Sequence, residues 1–192
     1  CETHEVRGLA LADQVFNADP DQVSALCELL AQSDLELPWT GHCHPGALTS
    51  QRLEEMARAG CGELILSLDS LSQGVVDAMR KDFKVEQTLD LMVQARDLGI
   101  QTTVFLMVGY PRETPELFEE TLNMLAERGP DAIGRIRSIT SCHLTPGSRL
   151  WDSPDRYGID ASAEHHWYNW TGPFNNTRKE RLQRVVTLRD AA

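Results

Sequence analysis

Several features common in proteins of this size are missing. No apolar run approaches the roughly 18 residues that a membrane-crossing helix needs, and no charged-then-apolar leader with a small-residue cleavage site opens the chain. The expectation is a soluble, cytoplasmic protein. Cysteine is sparse and unpatterned: Cys1, Cys27, Cys43, Cys61 and Cys142 are odd in number and form no CxxC pair. Neither a disulfide framework nor a zinc ribbon is indicated. Basic residues are in deficit, with 18 Lys and Arg against 29 Asp and Glu and a net charge of −11. That balance disfavours a dominant role in gripping nucleic acid or an anionic membrane. No repeat is visible beyond a strand-helix rhythm. What is present, 41% hydrophobic and 24% charged residues over 192 positions, is the composition of an ordinary globular domain. Such a chain can bury roughly 70% of the surface it exposes when unfolded. It begins with Cys and runs almost at once into the apolar stretch Gly8 to Ala12, so a fragment whose beginning is missing is expected.

Short apolar runs alternate with segments of helical period, the pattern of beta-alpha units and a parallel sheet. Strands are expected at Arg7 to Ala12, Leu37 to Gly41, Glu63 to Leu68, Ile100 to Val108 and, interrupted by Arg135 and Arg137, at Ile133 to Cys142. Helices are expected after Asp19-Pro20, after Thr49 or Ser50, from about Gly74 to Lys81, from Val85 to Leu98 and after Thr114-Pro115. Cys27, Cys61, Met56, Met79 and Met92 fall at core spacing. From Pro146 to Phe174 the chain turns irregular and aromatic. A capping box at Thr177 and Glu180 then opens a helix with Leu182, Val185, Val186 and Leu188 as its stripe. Its Arg178, Lys179, Arg181, Arg184 and Arg189 read as a solvated basic face.

In parallel alpha/beta folds, ligands bind beyond the carboxyl ends of the strands. The residues there are polar: Asp13, Gln14 and Asn17; His42, Cys43 and His44; Asp69, Ser70, Ser72 and Gln73; then Gly109, Tyr110 and Pro111. Capping and turn formation explain Asp19, Thr49 and Ser72 equally well. On an extended segment His42 and His44 share one face. Asp69 suits a ribose diol or an amine, or a helix cap.

The segments ADQVFNADPDQVSALCELL, LPWTGHCHPG, LEEMARAGCGELILSLDSLSQGVVDAMRK and FLMVGYPRETPELFEETL resemble, in order and spacing, the radical SAM enzymes. The class with an N-terminal cobalamin-binding domain is the most similar. The likeness runs roughly from Arg7 to Leu125. The defining CxxxCxxC is absent, His44 stands where arginine is usual, and SLDSLS replaces GVESGS, so Asp69 takes a glutamate's place. The resemblance implies a partial TIM-like (βα) barrel with parallel strands over residues 1–145. An extension over 146–192 would follow, with an irregular segment and a basic amphipathic helix. It further implies S-adenosylmethionine, a [4Fe-4S] cluster whose cysteines are expected upstream of Cys1, and, in the cobalamin class, cobalamin. His42, His44, Asp69 and Ser70 would contact the ribose or methionine part of S-adenosylmethionine. The backbone of Val108, Gly109 and Tyr110 would meet its adenine, while Asp13 and Asn17 would face substrate or corrin. The implied partners are a small-molecule substrate and a cobalamin-binding domain of the same protein.

Two other readings stand beside it. One is a metal-dependent barrel hydrolase with His42, His44, Asp69 and His143 as ligands. The other is a non-catalytic barrel that binds a nucleoside or partner through Trp151 to Phe174, with Trp167, Tyr168 and Trp170 as anchors.

Overall fold

Strands and helices alternate as the apolar pattern requires, and side-chain caps fix where the main helices begin. The computed structural model describes residues 6–35, 37–162 and 167–192. Strands β1 (Leu9–Ala10), β2 (Trp39–Cys43), β3 (Cys61–Asp69), β4 (Gln101–Val108) and β5 (Arg135–Ser141) form one parallel sheet in chain order. Parallel neighbours need crossover connections. Helices α1 (Pro20–Gln32), α2 (Ser50–Arg58), α3 (Gln73–Ala78), α4 (Val85–Asp97), α5 (Pro115–Arg128) and the short α6 (Pro130–Ile133) supply them. The result is the partial (βα) barrel class expected from the sequence.

The caps follow the sequence closely. Asp19 accepts from the N–H groups of Asp21 and Gln22 at 3.0 and 3.3 Å. Thr49 caps α2 through Arg52 N–H, and Thr114 caps α5 through Leu117 N–H, both at 3.3 Å. Other boundaries shift. Strand β1 keeps only two residues of the apolar run, and β2 starts at Trp39 and takes in His42 and Cys43. Helix α5 ends at Arg128 with Gly129 as its cap, and Pro130 then opens α6, as a proline at the first helical position permits.

The chain divides into two compact units. The first comprises the residues up to Leu68 with Phe83–Phe105 and Pro130–Arg137; the second comprises Asp69–Asp82, Leu106–Gly129 and Ser138–Ala192. In the first, Trp39, Leu53, Met56, Leu64, Leu89 and Met92 are buried, as are Cys27 and Cys61. Each large apolar side chain fully removed from water contributes about 1.5–3 kcal/mol. The Trp39 indole N–H donates to Ala59 O at 2.8 Å, so this ring is buried with its polar atom satisfied.

The second unit packs Val75, Tyr110, Cys142, Leu144, Ile159 and Trp170 together, with Met79 partly buried against them. Its irregular part contains α7 (Arg149–Asp152) and a 3-10 turn at Pro154–Tyr157. It ends in α8 (Arg178–Ala191), capped by Thr177 through Glu180 N–H at 3.2 Å. Here the expected face holds in part: Val185 and Leu188 are buried and Arg178, Lys179 and Arg189 exposed, but the rest of the stripe is exchanged. Arg181 and Arg184 are 1% and 3% exposed, whereas Leu182 and Val186 are 47% and 48% exposed. Positions 181, 184, 185 and 188 share one side of a 3.6-residue helix, and the two arginines lie inward on it because each finds partners there.

Candidate functional site

At the end of β2 the first unit ties two distant segments together. Asn17 is fully buried. Its amide N–H donates to His44 O at 3.0 Å, and its amide oxygen accepts from His44 N–H at 2.8 Å. This reciprocal pair fixes the backbone just beyond β2 and commits both ends of the Asn17 amide. His44 Nδ1 accepts from Gly46 N–H at 3.1 Å, and the ring meets Phe83 edge-on at 6.0 Å. His42 lies inside β2, opposite Ile65 of β3, and is half-buried. Asp13 is exposed in the segment after β1. The strand stops at Cys43, and His44, its backbone still extended, caps the 3-10 turn that follows. Among the described residues no group of three or more His, Cys, Asp or Glu is placed to hold a metal ion.

The ends of β3 and β4 lie in the second unit. Asp69 closes β3 with φ of 62°, a left-handed conformation that Asp tolerates better than most residues, and its carboxylate is ion-paired with Lys81. Ser70 is buried; its hydroxyl accepts from Ser72 N–H at 3.1 Å and lies 3.4 Å from the Thr121 hydroxyl. Ser72 does not cap α3 with its side chain but donates to Glu120 at 2.6 Å.

The turn after β4 is held from every side. Gly109 has φ of 80°, and a Cβ there would collide with the Arg181 side chain, so only glycine fits. Its N–H donates to Glu113 Oε2 at 2.6 Å, and its carbonyl accepts from Asn176 Nδ2 at 2.9 Å. The same amide nitrogen reaches Tyr110 O at 3.3 Å, and Val108 O accepts from Cys142 N–H at 2.8 Å. The backbone from Val108 to Tyr110 is therefore rigidly placed. The Gly109 carbonyl keeps a second lone pair for a ligand, whereas the Tyr110 carbonyl accepts from both Asn176 and Glu113 N–H and the Gly109 N–H is engaged. The Tyr110 hydroxyl donates to Ala78 O at 3.3 Å.

Behind this turn sits a buried charged network that the sequence reading missed. Arg184 pairs with Glu113 Oε2 at 2.8 Å and also donates to Glu113 O at 3.1 Å. Glu113 is 1% exposed. Its burial raises the carboxyl above the usual range, against the opposing pull of the Gly109 N–H and Arg184. Arg181 donates to Asn176 O, Tyr168 O and Trp170 O at 2.9–3.0 Å, and its guanidinium stacks 3.7 Å from the Trp170 ring centroid. Desolvation lowers its pKa to about 10. Trp170 is fully buried and belongs to the core of this unit, so it is no exposed anchor for a partner. Trp167 is 46% exposed, and residues 163–166 of that expected anchor segment lie outside the described residues.

Among the described residues the cysteines are not grouped as an iron-sulfur ligand set. Cys27, Cys43, Cys61 and Cys142 are all buried. Burial pushes their thiols up, to about 11 for Cys27 and about 12 for Cys61 and Cys142. Cys1 lies outside the described residues.

A parallel sheet of beta-alpha units with polar residues after its strands is the architecture of the (βα)-barrel class. Residues 2–125 match the Radical SAM superfamily, and the chain belongs to it. It is 20% identical over 147 residues to an uncharacterized methyltransferase of Pyrococcus horikoshii, covering 77% of this chain and 31% of that protein. To the ribosomal protein uS12 methylthiotransferase RimO of Chloroherpeton thalassium it is 30% identical over 139 residues, covering 67% of this chain and 32% of the relative. The fold is shared with the radical S-adenosylmethionine methyltransferase TsrM of Kitasatospora setae, solved with cobalamin and a [4Fe-4S] cluster bound. That likeness has a TM-score of 0.69 at 16% identity, over 84% of this chain and 34% of TsrM. The chain thus spans about a third of the length of the curated relatives it matches.

Proposed function

We propose that these residues form the carboxyl-terminal part of a radical SAM barrel, residues 1–145, with an extension over 146–192. The whole enzyme cleaves S-adenosylmethionine reductively at a [4Fe-4S] cluster held by cysteines outside this chain. The observation that carries the reading is the end of β3 in a chain of this superfamily. There a carboxylate is held in a left-handed turn beside an ammonium, Asp69 with Lys81. S-adenosylmethionine carries a ribose diol, an α-ammonium and an α-carboxylate, and a paired anion and cation answer that set of groups. Ser70 holds the turn that presents Asp69. The Gly109 carbonyl offers a fixed acceptor to an adenine amine, with Val108 and Tyr110 shaping the turn around it, while His42 and His44 line the end of β2. Asn17 serves by positioning His44, and exposed Asp13 faces substrate or corrin. Methyl transfer through cobalamin to a small molecule is the reaction we favour, by likeness to TsrM.

Isothermal titration of the full-length protein with S-adenosylmethionine tests this reading. Asp69→Ala is expected to weaken binding about tenfold or more, the loss of a charge-assisted contact, while Asp69→Glu restores most of it. Unchanged affinity in Asp69→Ala overturns the assignment.

A further inference from the structure

The second unit contains a cavity of about 560 Å³ that none of the roles above uses. Its lining includes Arg80, Arg112, Arg149 and Arg156, opposed by Asp77 and Asp152. Guanidinium groups therefore outnumber carboxylates there in a chain whose net charge is −11. Among the described residues none of the four guanidinium groups is hydrogen-bonded or ion-paired. In so acidic a protein, arginines placed only for solubility would be dispersed among carboxylates. Four like charges around one hollow repel one another, and an anion between them reverses the sign of that interaction.

The backbone places these side chains deliberately. Helix α3 ends in a Schellman motif, with Arg80 N–H donating to Asp77 O at 3.0 Å and Lys81 N–H to Val76 O at 3.1 Å. The left-handed position of that motif favours glycine, yet Arg80 holds it at φ of 60°. Neighbouring side chains then part: Lys81 pairs with Asp69, and Arg80 lines the cavity. Arg112 is fixed in the turn closed by Glu113 N–H donating to Tyr110 O at 2.8 Å. Arg149 opens α7, which Ser148 caps through Trp151 N–H at 3.2 Å. Arg156 sits in the 3-10 turn that follows.

We propose that this cavity binds a small molecule bearing phosphate groups, a phosphomonoester or a diphosphate, through Arg80, Arg112, Arg149 and Arg156. Guanidinium forks match phosphate oxygens two at a time, and a diphosphate offers enough oxygens for several forks at once. The volume lies in the range of small-molecule sites, about 300–1,000 Å³, and the acidic surface elsewhere disfavours a polymer. Asp77 and Asp152 accept from hydroxyl or amine groups of the same ligand. The inference does not rest on the S-adenosylmethionine assignment, since none of the four arginines is among the residues given to that cofactor.

The test is isothermal titration of the full-length protein with inorganic pyrophosphate at fixed ionic strength. Saturable binding is expected, at least tenfold weaker in Arg112→Gln/Arg149→Gln, the loss of two charge-assisted contacts, with S-adenosylmethionine affinity and circular dichroism unchanged. Both arginines are exposed, so the substitutions leave the core alone. Absence of saturable binding, or equal affinity in the double variant, overturns the proposal. So does tighter binding of citrate than of pyrophosphate, which reassigns the site to carboxylates. Arginine-dependent binding of single-stranded RNA without pyrophosphate binding overturns it too, because it assigns the surface to a polymer.

Discussion

The two units solve the same problem, holding the loops after the strands still, with different chemistry. The first uses a neutral clamp, Asn17 on the backbone of His44, over an apolar core of Trp39, Leu53, Met56 and Leu64. The second fixes the Gly109–Tyr110 turn with charge: Glu113 and Arg184, Arg181 and Asn176, all buried. A neutral clamp loses one or two hydrogen bonds when broken. A buried ion pair loses its balance, because the surviving charge stays out of water without a partner.

The contrast can be broken from the charged side first. Arg184→Ala is expected to destabilise the protein by about 3–5 kcal/mol at neutral pH, read as a shift in urea midpoint. The sign of its pH dependence follows from Glu113, whose carboxyl is raised by burial. The stability linked to protonating this group is complete below the usual carboxylate range and is lost as pH rises through its raised pKa. The Arg184→Ala penalty therefore shrinks in acid, where a neutral Glu113 needs no cation. A penalty independent of pH would show that the pair is not the source of the loss.

In the first unit Leu53→Ala, at a fully buried apolar position, is expected to cost about 2–5 kcal/mol. Unlike the Arg184 penalty, it should be flat across the same pH series. Asn17→Ala should cost least, about 1–3 kcal/mol for two backbone groups left unpaired at His44. Amide hydrogen exchange should quicken locally at His44, while the Gly109 amide is unaffected. Equal quickening at both sites would mean that the neutral clamp and the charged one are not separate devices.

How much of this was legible in the sequence depends on range. Caps act within three residues, so Asp19, Thr49, Thr114 and Thr177 could be placed from local pattern, as could the strand order. The Asn17–His44 clamp spans 27 residues, and that between Glu113 and Arg184 spans 71, with no local periodicity to announce either. Reading α8 by hydrophobicity placed Leu182 and Val186 inside, because arginine is ordinarily a surface residue. The signal that would have corrected it was present: Arg181, Arg184, Val185 and Leu188 fall on one face, and GYPRE supplies an acid for an arginine. At the candidate site, the polar residues after each strand were visible, but their partners were not. Lys81, which pairs with Asp69, follows Arg80 in a left-handed turn that residue type does not suggest.

As proposed above, this chain is part of an enzyme that cleaves S-adenosylmethionine. The most direct test is to assay full-length protein, reconstituted without oxygen and with its iron-sulfur cluster loaded, for 5′-deoxyadenosine and methylated product. Release of either at the expense of S-adenosylmethionine is the predicted result. Intact S-adenosylmethionine with neither product, in protein carrying its cluster, would contradict the account.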